Sequence, residues 1–101
     1  MENSKPRYRL DDVKAAFADP SGLNRTYSSR EGADDLGMSD AEVVDVIQSL
    51  TSADFDKSMT AYADQTLWQD VYKPLVDKVE LYVKFTLDSE QKLLLISFKE
   101  A

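Results

Sequence analysis

The stretch that most restricts the fold runs from Lys78 to Leu87. Val79, Leu81, Val83, Phe85 and Leu87 fall on one parity, and Glu80, Tyr82, Lys84 and Thr86 on the other. A period of two belongs to an extended strand with one face in a core. A helix would scatter those five apolar side chains around its circumference. Asp88-Ser89-Glu90-Gln91 then supplies a turn. Lys92 to Lys99, with its LLLIS run, reads as a second strand, apolar enough to be central or buried on both faces. The two predict an antiparallel hairpin. Residues 54–61 and 68–73 read as further strands, the latter ended by Pro74.

The N-terminal half has a different period. Leu10, Val13, Ala16 and Phe17 recur at helical spacing, which predicts a short amphipathic helix over 10–18, stopped by Asp19-Pro20-Ser21-Gly22. A connector reaches Tyr27, and Ser28 to Leu36 form a second helix ended by Gly37. Ser39 with Glu42 three residues on is a capping box for a third helix, whose buried stripe is Val43, Val44, Ile47 and Leu50. Helices first and strands afterwards predict an α+β fold, with N-terminal helices packed on an antiparallel β-sheet. With 101 residues the chain is a single domain, 1–101. Residues 1–9, with Lys5, Arg7 and Arg9 around Pro6 and Tyr8, read as a basic, partly flexible arm. It is either a solvated terminus or a contact for phosphate.

The chain has no histidine and no cysteine. That removes disulfides, zinc–thiolate sites, His-ligated metals and every nucleophile activated by histidine. Catalysis here has to run on Lys, Tyr, Asp, Glu, Arg or Gln. Asp11-Asp12 and Asp34-Asp35 read as solvated helix surface, not as metal ligands, and three glycines build no phosphate-cradling loop. No metal and no cofactor is expected. There is no run of 18 apolar residues and no apolar secretory leader, so a cytoplasmic protein without a membrane segment is expected.

The net charge of −7 weighs against a nucleic-acid partner at first sight. Its distribution matters more. Glu31, Asp34, Asp35, Asp40, Glu42, Asp45, Asp54 and Asp56 occupy 31–56 with no Lys or Arg between them. The remainder holds 12 basic and 11 acidic residues, so a basic patch elsewhere is open. The acidic block is a solvated helix surface or a face for a basic partner.

One chemistry suits Lys and Tyr without histidine: attack of an RNA 2′-hydroxyl on the adjacent phosphate. It needs a base, cations for the phosphorane charge and an acid for the leaving oxygen, and clustered lysines lower one another's pKa. Lys57 shares a parity with Phe55 and Met59 and reads as a lysine near a sheet edge. Tyr82 faces away from the apolar layer of its strand; it packs cross-strand, stacks on a base or donates a proton. Lys84 shares that face, as a phosphate contact or an edge gatekeeper. Lys99 ends the last strand. Gln69 is a structural amide or a base-edge contact, and Trp68, the one tryptophan, reads as core.

The motifs DFDKSMTAY (54–62), WQDVY (68–72), LYVKF (81–85) and SFKE (97–100) resemble those of the MqsR (motility quorum-sensing regulator) toxins. The likeness runs nearly end to end. It implies a RelE-like fold and a metal-independent endoribonuclease (mRNA interferase) that inhibits translation in a type II toxin–antitoxin system. The implied partners are single-stranded mRNA and an MqsA-like antitoxin, with DNA reached only through that antitoxin. Carried over by motif, the catalytic residues are Lys57, Gln69, Tyr82 and Lys99. Lys57 and Lys99 would serve as base and phosphate stabiliser, Tyr82 would transfer a proton or orient, and Gln69 would position the RNA. Lys73, Lys84, Arg7 and Arg9 are the expected RNA contacts.

The chain departs from the family at three places: Asp56 for an aromatic, Gln65 for a histidine and Lys73 for an arginine. An acid that meets a lysine favours its charged form and weakens it as a base, so Asp56 bears on the expected rate, and lysine at 73 lacks the bidentate fork of arginine. Members of that family prefer a short GC-containing trinucleotide, a preference that the three departures keep from being carried over to this chain. The competing reading is a weak or inactive homologue that mainly binds its antitoxin and modulates operator binding. A plain acidic α+β adaptor is what remains if the resemblance is set aside.

Overall fold

The computed structural model describes all 101 residues. Three helices precede most of a six-stranded antiparallel sheet, an α+β architecture. The helices are α1 (Leu10–Ala16), α2 (Tyr27–Asp35) and α3 (Asp40–Gln48). The strands are β1 (Glu2–Asn3), β2 (Phe55–Thr60), β3 (Trp68–Tyr72), β4 (Leu75–Val76), β5 (Val79–Leu87) and β6 (Leu93–Glu100).

Local chemistry explains the helix ends. Ser39 Oγ accepts the Glu42 amide while the Glu42 carboxylate accepts the Ser39 amide, closing the capping box expected at α3. α2 starts one residue earlier than the sequence reading, because Thr26 Oγ1 accepts the Ser29 amide. It ends in a Schellman arrangement: Met38 N donates to Ala33 O and Gly37 N to Asp34 O, with Gly37 at φ +70°.

The apolar parity of β5 (Leu81, Val83, Phe85) meets Phe98 and Leu95 of β6, Tyr72 of β3, Val13 of α1 and Phe17 at its C-cap, and Val43, Val46 and Ile47 of α3. Phe85 packs against Phe17 in a tilted arrangement and edge-on against Tyr72, with ring centroids 5.3 Å and 6.0 Å apart. α2 lies hard against β6: a Cβ on Gly32 would sit 2.1 Å from Phe98 O.

Three sequence expectations change, and one element is added. The N-terminal arm is anchored. β1 pairs with β2, and the amides of Arg7 and Tyr8 donate to the buried Asp70 carboxylate at 3.0 and 2.9 Å. The Tyr8 hydroxyl donates to Trp68 O at 2.7 Å. β6 pairs with β5 alone among the strands; its outer edge is covered by Asn24–Thr26, through Thr26 N to Leu95 O and Leu95 N to Asn24 O. Leu94 and Ile96 are half-exposed, so the run is not buried on both faces. Trp68 lies outside the core cluster and is half-buried, its strand end covered by the arm rather than by helices. Finally, Pro74 is followed by the short β4, which turns back onto β5 through Asp77 (φ 49°) and Lys78 (φ 69°). Two left-handed residues make a type I′ turn, the form that suits the twist of a hairpin.

Candidate active site on the open face of the sheet

The strands present alternate side chains to two faces. One face carries the core. The other carries the polar residues singled out from the sequence. There, cross-strand pairing sets Lys57 beside Val71, Val71 beside Lys84 and Lys84 beside Ser97. Tyr82 pairs with Lys99 two residues along the same side of β5, and Met59 pairs with Gln69.

Two β-bulges create this arrangement. In β2 the register shifts between Phe55 and Lys57, leaving Asp56 as the extra residue. Phe55 therefore turns to the core face, its ring 5.4 Å from that of Tyr72, while Lys57 and Met59 turn to the open face. Simple alternation would have kept Phe55 and Lys57 together. In β6 the shift at Ile96 lets Leu95 and Phe98 both reach the core while Ser97 and Lys99 remain outside.

The centre of the face is Tyr82. The ammonium of Lys99 lies 5.5 Å from the centroid of its ring and that of Lys84 lies 5.7 Å away. Lys84 is half-buried beside the fully buried Val71. Burial draws its pKa below the usual lysine value, and the nearby charges of Lys99 and Lys57 lower it further. Neither Lys84 nor Lys99 has a carboxylate within ion-pair distance, whereas Lys57 has Glu2 at 4.0 Å. Lys73 is engaged by Asp56 at 3.8 Å, so the acid next to Lys57 in the chain turns to a different lysine.

Not every candidate joins the cluster. Arg7 is held through its backbone to Asp70, whose cross-strand neighbours Ser58 and Phe85 mark the core side of the sheet. Arg9 precedes α1 as its N-cap. No contact brings either guanidinium to the lysines. Asp70 and Ser97 were not singled out from the sequence. Strand parity shared with Lys99 could have found Ser97; the link from Asp70 to an arm some 60 positions away has no local signal.

The face is open. Of the clefts in the molecule only a small one of about 240 Å³ at the sheet edge, lined by Glu2, Asn3, Ser4, Asp56 and Lys57, touches any of these residues. Enclosed pockets suit small ligands. An open, cationic surface with a half-buried tyrosine at its centre suits an extended polyanion, whose phosphates meet lysines and whose bases meet rings. No group of three or more Asp, Glu, His or Cys is placed to hold a metal ion. No helix is long and apolar enough to cross a membrane.

The family profile described as "Motility quorum-sensing regulator, toxin of MqsA" matches residues 5–100. The chain belongs to this toxin family. It is similar to the mRNA interferase toxin MqsR of Escherichia coli (strain K12), at 39% identity over 100 residues that cover 99% of each chain. Residues 5–100 include every member of the lysine–tyrosine cluster. Of the three departures within this toxin, Asp56 forms the bulge and pairs with Lys73, and Gln65 lies exposed in the loop joining β2 and β3.

Proposed function

We infer that this toxin is an endoribonuclease that cleaves mRNA and so blocks translation, with an MqsA-type antitoxin as its partner. The observation that carries the reading is the convergence of Lys57, Gln69, Tyr82, Lys84 and Lys99 on one open sheet face, around a single tyrosine. The RNA lies single-stranded across that face. The ammonium groups of Lys57 and Lys99 bracket the scissile phosphate and stabilise the charge that grows on its oxygens. Tyr82 protonates the leaving oxygen, and Gln69 hydrogen-bonds and positions the strand. The reaction needs no metal in this scheme. Lys73, Arg7 and Arg9 add phosphate contacts beyond the centre. The toxin acts in the cytoplasm and reaches DNA only through its antitoxin.

The test is cleavage of a long single-stranded RNA by purified toxin in EDTA, beside Lys57→Ala and Tyr82→Phe. Cutting by wild type alone supports the site. If both variants cut as fast as wild type, the assignment is wrong.

A further inference from the structure

We propose that Lys84 is the general base of the reaction, a catalytic residue and not a peripheral phosphate contact. The proposal rests on the reading of this face as the ribonuclease site. Three lysines surround Tyr82 or its row, and their surroundings differ. Lys57 has a carboxylate partner, Glu2, at 4.0 Å, and its side chain is 37% exposed. Lys99 is exposed near the end of β6. Lys57 thus faces a carboxylate and Lys99 faces solvent. Lys84 occupies the middle strand of the three that carry the cluster, between β3 and β6, with Val71 on one side and Ser97 on the other. It has no carboxylate partner, and both other lysines bear on it. A half-buried amine between like charges is the one most readily emptied of its proton, and an amine must be neutral to accept one.

The roles then separate. Lys84 Nζ takes the proton of the 2′-hydroxyl. The freed 2′-oxygen bonds to the adjacent phosphorus, and the bond from phosphorus to the 5′-oxygen breaks. That oxygen leaves with a proton from Tyr82. The products are a 2′,3′-cyclic phosphate and a 5′-hydroxyl. Lys57 and Lys99 remain cations throughout. The Lys84 ammonium lies 5.7 Å from the Tyr82 ring; passing its proton back to the tyrosine oxygen, directly or through water, resets both groups.

The experiment is a single-turnover pH–rate profile on an RNA oligonucleotide that the wild type cleaves. It compares wild type, Lys84→Arg and Lys99→Met. Binding of the 2′-deoxy analogue, which cannot react, is measured alongside. Arginine keeps the charge but cannot give up its proton at any working pH. Lys84→Arg should therefore bind the analogue as wild type does, which also shows that it is folded. It should cleave about a hundred-fold or more slowly, the lower end of what a general base contributes, and lose the rise of rate with pH. Lys99→Met removes a charge that lowers the Lys84 pKa, so the rising limb should move to higher pH. Lys84→Arg that keeps both rate and limb overturns the proposal, as does a limb unmoved in Lys99→Met. In either case the site reading stands so long as Lys57→Ala and Tyr82→Phe remain impaired. If those two also cleave normally, both readings fall.

Discussion

The two faces of one sheet obey opposite rules. On the helix-covered face, Tyr72, Val83, Phe85, Leu95 and Phe98 are buried to within 1% exposure. On the open face the same strands carry Lys57, Gln69, Tyr82, Lys84 and Lys99. The two tyrosines make the contrast concrete. Tyr72 lies in the core, where burial and then the Asp70 charge push its pKa up to about 12, so it serves as a packing ring. Tyr82 has two ammonium groups over its ring and solvent beyond them. Packing holds the backbone; the open side gathers like charges that would rather separate. Covered strands are what allow three lysines to be kept together.

Breaking the covered face should have the largest effect. Phe85→Ala removes a ring that packs on both Phe17 and Tyr72. A loss of about 3–5 kcal/mol in denaturant unfolding is expected, with cleavage lost only as the fold is lost. Tyr82→Phe sharpens the contrast from the other side. It should slow cleavage about a hundred-fold, equivalent to ~2.7 kcal/mol of barrier, while the unfolding midpoint stays within error. A matching fall in stability would contradict the separation of the faces.

Asp70→Ala tests the arm. The amides of Arg7 and Tyr8 lose their acceptor, at about 1–3 kcal/mol. Hydrogen exchange should accelerate at those two amides with the open-face residues left in place. Protected amides in the variant would mean that β1 pairing alone secures the arm.

Lys78→Gly addresses the β4–β5 turn. A left-handed lysine at φ 69° is replaced by the residue with no Cβ penalty, which should stabilise by about 1 kcal/mol.

The smallest effect has a pH signature. Lys84 is held below the ordinary lysine value of 10.5, so the folded protein releases this proton before the unfolded chain does. Between its folded value and 10.5 the unfolded state binds more protons, and stability from this group rises with pH. Below that window the full penalty of holding the charge applies. Lys84→Met should therefore stabilise the fold slightly at neutral pH, an effect reduced by the solvent-exposed part of the side chain. That advantage should shrink as the pH approaches 10.5. A constant difference between the two proteins across that range would remove the group from the account.

Much of this was legible from local pattern. The alternation over Val79–Leu87 and the Ser39–Glu42 capping box are each written within ten residues and appear as β5 and α3. The shared parity of Tyr82 and Lys84 foretold that they would stand on one face. What escaped has a common cause. The bulge at Asp56, which parts Lys57 from Phe55, is set by how β2 registers against β3. The I′ turn uses Asp77-Lys78 without a glycine to announce it. The ordering of the arm depends on a carboxylate more than 60 positions away.

By itself, then, the sequence determined the elements, the face each side chain of β5 would take, and a chemistry restricted to lysine, tyrosine and their like by the absence of histidine. Only the tertiary structure decided which lysines meet. Lys57, Lys84 and Lys99 come from three strands, and strand pairing, two bulges and the packed core behind them bring them together. Secondary structure follows short-range periodicity, whereas a charge cluster is a property of registers between distant segments, which the packing of the opposite face selects.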